Sequence, residues 1–189
     1  MRITGGKARG ITLSVPKGDS VRPATDAMRQ AVFSSLAAWV PGAMFLDLFA
    51  GSGAYGLEAV SRGATGGVFV EKDARTAACI RQNITAVCKS LGRPENGLKV
   101  INADATTVPV ESIPDLVFVD PPYEMILEAA PRIFARLDAV LAGIGDPLVI
   151  FEMPGELTLS PEGWACVKRL GKGTGQPTVC IFRANRALT

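Results

Sequence analysis

"LDLFAGSGAYGLEAVSRGA", residues 46–64, decides the fold. It continues an apolar strand ("AMFLDLF", 43–49), breaks at a glycine turn, and resumes as a helix ("AYGLEAVSRG", 54–63) closed by Gly63. Gly51, Gly53 and Gly56 satisfy G-x-G-x-x-G, and the next strand, "GGVFVE", ends on Glu71, 20 residues after Gly51. A strand, a glycine turn and a helix in this order begin a parallel sheet whose ligands sit at the strands' carboxyl ends.

Outward from this unit the alternation continues. A helix is expected over 74–91, strands at "LKVINAD" (98–104) and "DLVFVD" (115–120), a helix from about Met125 to Leu141, and a strand at "PLVIFEM" (147–153). "WACVKRL" and "TVCIFRA" add two strands as a closing hairpin, making seven. Upstream, residues 1–15 read as a short hairpin turning near Gly5, Gly6 and Gly10. Thr25 or Asp26 caps a helix running to about Trp39, with Met28, Val32, Leu36 and Trp39 on one face, and Pro41 and Gly42 stop it. The expectation is a doubly wound, mostly parallel α/β sheet in one compact unit over 23–189, preceded by a basic hairpin and loop over 1–22.

Length and composition agree with one globular domain of 189 residues, 48% hydrophobic. No apolar run reaches the ~18 residues of a membrane span, and "MRITGGKARG" has no apolar signal region, so a cytoplasmic, membrane-free protein is expected. Cys79, Cys88, Cys166 and Cys180 lack C-x-x-C spacing and read as buried, reduced thiols. There is no histidine, which removes imidazole acid–base catalysis and histidine metal sites. The net charge of +2 is segregated: residues 1–40 and 161–189 carry +4 each and residues 41–160 carry −6. Basic ends around an acidic middle fit a polyanion partner touching the ends.

The glycine motif alone admits a nicotinamide dinucleotide. Asp47 argues for a different nucleoside cofactor, because an acid inside the first strand beside the glycine loop suits a ligand carrying an ammonium and a sulfonium, as S-adenosylmethionine does. In that reading Asp47 holds the amino-acid end, the backbone of Ala50, Gly51, Ser52 and Gly53 lies against the ligand, and Glu71 accepts from both ribose hydroxyls. Asp104, in "NADA" after the third strand, accepts from the adenine amine.

"VFVDPPYE", 117–124, is the second informative stretch. Proline removes a backbone donor and fixes φ, so Pro121 and Pro122 end the strand and stiffen the chain that presents Asp120 and Tyr123. An exocyclic nucleobase amine is a poor nucleophile because its lone pair is delocalised. Asp120 accepts one N–H and the Pro121 carbonyl the other, which favours a tetrahedral nitrogen and stabilises the charge that develops on it. Tyr123 stacks on a base that is unpaired or flipped out. No metal is needed.

With these residues in place the chain resembles the Class I S-adenosylmethionine-dependent methyltransferases that act on exocyclic amines, and more narrowly the RsmD family. The resemblance is carried by "RITGGKARGITL", "RPATDAMRQAVFSSL", "LDLFAGSGAYGLEAVSRGA", "VEKD" and "FVDPPYE". It implies transfer of a methyl group to the N2 amine of a guanine in small-subunit (16S) ribosomal RNA, within a small ribosomal subunit or its precursor; the oligomeric state is left open, with a monomer favoured. It implies cofactor contacts at Asp47, Ala50, Gly51, Ser52, Gly53, Glu71, Lys72, Asp104 and Ala105, and a target base at Asp120, Pro121, Pro122 and Tyr123. It also implies phosphate contacts at Lys7, Arg9, Arg22 and Arg29, with Lys168, Arg169, Lys172 and Arg183 as further candidates. Ala24, Ala27 and Gln30 depart from the threonine, arginine and glutamate common in the family, and bear on the RNA approach surface.

Three alternatives make different demands. A DNA or other RNA amine methyltransferase shares the Asp-Pro-Pro-Tyr corner, but little chain follows Met153 to form a target-recognition segment. A nicotinamide oxidoreductase leaves Asp47 and Asp120 unexplained. A non-catalytic RNA-binding assembly module would not need either acid.

Overall fold

The computed structural model describes residues 1–15, 26–141, 145–171, 173 and 175–185. Seven strands, β1 (Met44–Leu48), β2 (Gly66–Glu71), β3 (Leu98–Asn102), β4 (Leu116–Val119), β5 (Leu148–Pro154), β6 (Trp164–Leu170) and β7 (Pro177–Ala184), form one sheet. Its order is β3-β2-β1-β4-β5-β7-β6. The first five strands are parallel, and β7 inserts antiparallel between β5 and β6, as the closing hairpin required. The chain winds outward from β1 to β3, then returns to place β4 on the other side of β1. The carboxyl ends of β1 and β4 therefore flank the switch point, where a crevice opens.

The helices are α1 (Asp26–Ser35), α2 (Ala54–Ser61), α3 (Ala74–Leu91) and α4 (Ile126–Leu141). One face of the sheet, with Phe45, Phe69, Phe118 and Ile150, packs against α1, α2 and α3. The other, with Leu48, Val117, Val119 and Phe151, packs against α4 and Trp164. Local chemistry fixes several limits. Asp73 accepts the Thr76 N–H to start α3, and Gly92 in the left-handed region ends it. At Gly56 a β-carbon would lie 2.4 Å from Phe69 and 2.5 Å from Phe45, so only glycine lets α2 sit this close to the sheet.

Some expectations shift. The first helix stops at Ser35, not Trp39, and continues as turns in which Trp39 and Val40 N–H groups bond to the Leu36 carbonyl. Thr25, proposed as its cap, lies outside the described residues. The 1–15 hairpin is held by one Arg2–Thr12 bridge and a few loop hydrogen bonds. Its Ile3, Ala8 and Leu13 are buried in the core shared with α1 to α3. All four cysteines are free, but Cys166 is exposed, because β6 is an edge strand with much of its surface open, and Cys79 on α3 is half-buried. No helix among the described residues is long and apolar enough to cross a membrane.

Candidate active site

A cavity of about 880 Å³ opens at the carboxyl ends of β1, β2 and β4, within the usual ~300–1,000 Å³ of small-molecule sites. Its wall gathers Asp47, Ala50, Gly51, Ser52, Glu71, Lys72, Asp104, Ala105, Asp120, Pro121, Pro122 and Tyr123, which the sequence placed on separate segments. Gly53 is not part of the wall. A β-carbon there would press on Ile80, Leu57 and Phe69, so its backbone faces the core, and at φ 78° it turns the chain into α2.

The glycine loop is held by acids. Glu71 accepts the Gly51 N–H at 2.9 Å through Oε2 and the Asp73 N–H at 2.9 Å through Oε1. Asp47, 2% exposed, accepts the Gly56 N–H at 2.9 Å, so a side chain from β1 caps the first turn of α2. In a dinucleotide site that turn would face a pyrophosphate. Burial pushes the Asp47 carboxyl up to about 8; the Gly56 bond opposes this and the charge of Glu71 adds to it. Asp104 is the opposite case. Thr106 donates to Oδ1 from both its hydroxyl and its N–H, Lys72 reaches Oδ2 at 3.0 Å, and the carboxyl is held down to about 2.

The amine corner is stiff. Pro121 is buried, Pro122 holds φ −51° and ψ 136°, and its carbonyl accepts the Met125 N–H at 2.9 Å, closing a single 3-10 turn over Tyr123–Met125. Asp120 is half-buried at the end of β4, and burial, then Glu152 and Asp47, raise its carboxyl well above the usual range.

Several wall residues were missed. Phe49 follows β1 at φ 59°, a conformation a bulky side chain rarely adopts and one associated with functional sites. Tyr55, on α2, stacks on Phe118 and donates its hydroxyl to Glu152 Oε2 at 2.9 Å. Glu152, 3% exposed on β5, is raised by burial against the lowering effects of Tyr55 and Arg29. Its signal was present in the sequence: an acid inside "LVIFEM" repeats the pattern of Asp47 inside "FLDLF".

The charge balance of the wall discriminates between ligands. Seven carboxyl groups (Asp47, Glu71, Asp73, Asp104, Asp120, Glu124, Glu152) face two cations, Arg29 and Lys72. Burial favours the protonated forms of Asp47, Asp120 and Glu152 in the empty cavity, and a cation entering it favours their ionised forms, whereas a pyrophosphate would meet the remaining acids. Glu71 at the end of β2 and Asp104 just past β3 put two further acceptors on the same wall.

The basic candidates divide. Lys7 and Arg9 are exposed on the hairpin turn. Arg29 is not a surface contact: it is 1% exposed, donates to the Arg2 carbonyl at 2.6 Å and to Asp26 at 2.8 Å, and lies 3.5 Å from buried Glu58. An arginine so paired is held in the core. Arg169 donates to the Gly155 and Leu157 carbonyls, and Arg183 pairs with Asp146 over Trp39. Lys168 is exposed, whereas Arg22 and Lys172 lie outside the described residues.

A family model described as "Conserved hypothetical protein 95" matches residues 1–183. The chain is 38% identical over 125 residues to ribosomal RNA small subunit methyltransferase D of Escherichia coli K12; the match covers 65% of this chain and 60% of that protein, less than two thirds of its length. It is 33% identical over 182 residues to the Haemophilus influenzae protein of the same name, covering 93% of this chain and 89% of the relative. Among solved structures, a putative methyltransferase yhhF from Escherichia coli superposes with a TM-score of 0.73 at 31% identity, covering 97% of both chains.

Proposed function

The chain belongs to the RsmD family, and from that premise we propose that it methylates ribosomal RNA of the small subunit, using S-adenosylmethionine, at the N2 amine of a guanine. The observation that carries the reading is Asp120, fixed by Pro121 and Pro122 over an acid-lined cavity beside the glycine loop.

When bound, S-adenosylmethionine supplies a methyl carbon that an amine displaces from sulfur. Asp47 holds the ammonium of the amino-acid end, and the loop from Ala50 to Ser52 lies against it. Glu71 takes the ribose hydroxyls while keeping the loop shaped through the Gly51 N–H. Asp104, ionised at any physiological pH, accepts from the adenine amine beside Lys72 and Ala105. Asp120 accepts one N–H of the target amine and the Pro121 carbonyl the other, with Tyr123 against the base. A carboxyl raised above its usual range is a stronger base, matched to taking the proton from a nitrogen that becomes cationic. A cationic ligand in the cavity favours the ionised forms of Asp47 and Asp120. On this reading the exposed Lys7 and Arg9 contact RNA phosphates.

The test is methyl transfer to undermethylated small subunits, naked ribosomal RNA and duplex DNA, with products digested to nucleosides and weighed. N2-methylguanosine from the ribosomal samples is expected, and Asp120→Ala should abolish it while retaining S-adenosylhomocysteine binding. Label in DNA, or in an adenine or cytosine amine, would overturn the substrate assignment. Loss of cofactor binding with Asp120→Ala would make Asp120 structural.

A further inference from the structure

Asp120 has a second carboxyl group beside it. Strands β4 and β5 are parallel with Val119 opposite Phe151, so Asp120 and Glu152 come next, level with each other on chains about 4.8 Å apart. Side chains alternate along a strand, so both follow Phe118 and Ile150 onto the α2 face and both line the cavity. Glu152 is fixed there: Tyr55 donates to Oε2, and Tyr55 is itself stacked on Phe118 with ring centroids 5.4 Å apart. Burying a carboxyl without a direct cationic partner is unfavourable, and two level carboxyls compound the effect. The fold tolerates both at the place where a base would enter. Arg29 lines the same cavity, its charge reaches Glu152, and its buried Nε has no hydrogen-bond partner.

We propose that Glu152 is the residue that selects guanine, accepting the N1–H of the base while Asp120 accepts from N2. The assignment rests on the guanine-N2 reading above. The pairing edge of guanine runs N2–H₂, N1–H, O6, two adjacent donors followed by an acceptor. Two adjacent carboxylates, which only accept, with a guanidinium close by, form the complementary set. The methylatable amines of adenine and cytosine each stand next to a ring nitrogen with a lone pair. That lone pair would face the Glu152 carboxylate, leaving both unsatisfied and mutually repelling. The contact also assists chemistry without moving a proton to Glu152. N1, C2 and N2 are conjugated, so an acceptor at N1–H raises electron density on the nitrogen that Asp120 holds. Glu152 is a positioning and specificity residue, and Asp120 remains the proton acceptor.

The test uses undermethylated small subunits carrying, at the guanine that the wild-type protein methylates, either guanine or 2-aminopurine, which keeps the amine but has a lone pair at N1. The wild-type protein is expected to favour guanine by about 100-fold or more in kcat/KM, as a site built for an N–H donor does. Glu152→Gln, whose amide donates, should lose guanine activity and gain on 2-aminopurine, bringing the two within about tenfold. Its melting temperature should not fall below the wild-type value, because the amide relieves a buried carboxyl, and its S-adenosylhomocysteine affinity should stay at the wild-type value. An unchanged ratio in Glu152→Gln, or an equal loss on both bases, would show that Glu152 does not read N1. Acceptance of 2-aminopurine as readily as guanine by the wild-type protein would sink the assignment with no variant needed. Wild-type methylation at an adenine or cytosine amine would instead overturn the guanine reading, and the assignment with it.

Discussion

Asp47→Asn separates the electrostatics of the empty cavity from those of the bound one. Asp47 titrates at 3.8 when unperturbed and is pushed up to about 8 in the fold, chiefly by burial. Between these values the folded chain holds a proton that the unfolded chain has released. Stability therefore falls as pH rises through this window and is flat with respect to Asp47 below and above it. Each pH unit inside the window is worth about 1.4 kcal/mol, so from pH 5 to pH 8 Asp47 removes about 4 kcal/mol. Asparagine keeps an oxygen for the Gly56 N–H and does not titrate. The stability of Asp47→Asn relative to wild type should thus grow by about 4 kcal/mol across that range, read from urea unfolding at pH 5, 6, 7 and 8. The same variant should bind S-adenosylhomocysteine roughly 10- to 100-fold more weakly, by loss of a charge-assisted hydrogen bond worth about 1.5–3 kcal/mol. Parallel stability profiles would refute the argument, because they would mean that Asp47 ionises in the fold as readily as in the unfolded chain.

Two packing predictions test what positions the site. Gly56→Ala drives a β-carbon into the Phe45–Phe69 contact and should destabilise by about 1–3 kcal/mol, lowering the melting temperature by several degrees; an unchanged melt would contradict the close approach of α2. Glu58→Gln removes a fully buried carboxylate bonded to Arg62, to Thr4 and to the vicinity of Arg29, and should cost about 3–5 kcal/mol while speeding tryptic cleavage after Lys7 and Arg9. Wild-type stability together with wild-type cleavage rates would show that the network is not what holds the hairpin down.

How much was legible depended on the range of the interaction. The limits of β2 and α3 were read from sequence because they are set locally, by glycines and by the Asp73 cap. The first helix was read too long because Leu36 continues its apolar face and the Leu36 carbonyl still accepts the Val40 N–H, although the regular helix ends at Ser35 and Trp39 is exposed. Asp47, Glu71, Asp104 and Asp120 each stand at a strand end, so alternation alone brought them to one rim. Glu152 carried the same signal, but it lies inside the strand that continues to Pro154 and so was read as part of a plain buried strand. Arg29 was misread because its burial is decided by Glu58, 29 residues away on α2, and no local pattern records such a pair.

That pair links the two halves of the proposed function. Arg29 lines the cavity and bonds to the Arg2 carbonyl, while Glu58 accepts from the Thr4 N–H at 2.7 Å and its hydroxyl at 2.8 Å. Ser61, one turn further along α2, accepts the Ala8 N–H and donates to the Gly5 carbonyl. The hairpin is therefore stitched to the same helix whose first turn Asp47 caps and whose Tyr55 holds Glu152. Exposed charges at Lys7 and Arg9 gain a fixed distance from Asp120 in this way, through a short rigid helix instead of a tether. Phosphates gripped by the hairpin would then set the register of the RNA over the cavity, leaving the carboxylates to decide which base is accepted.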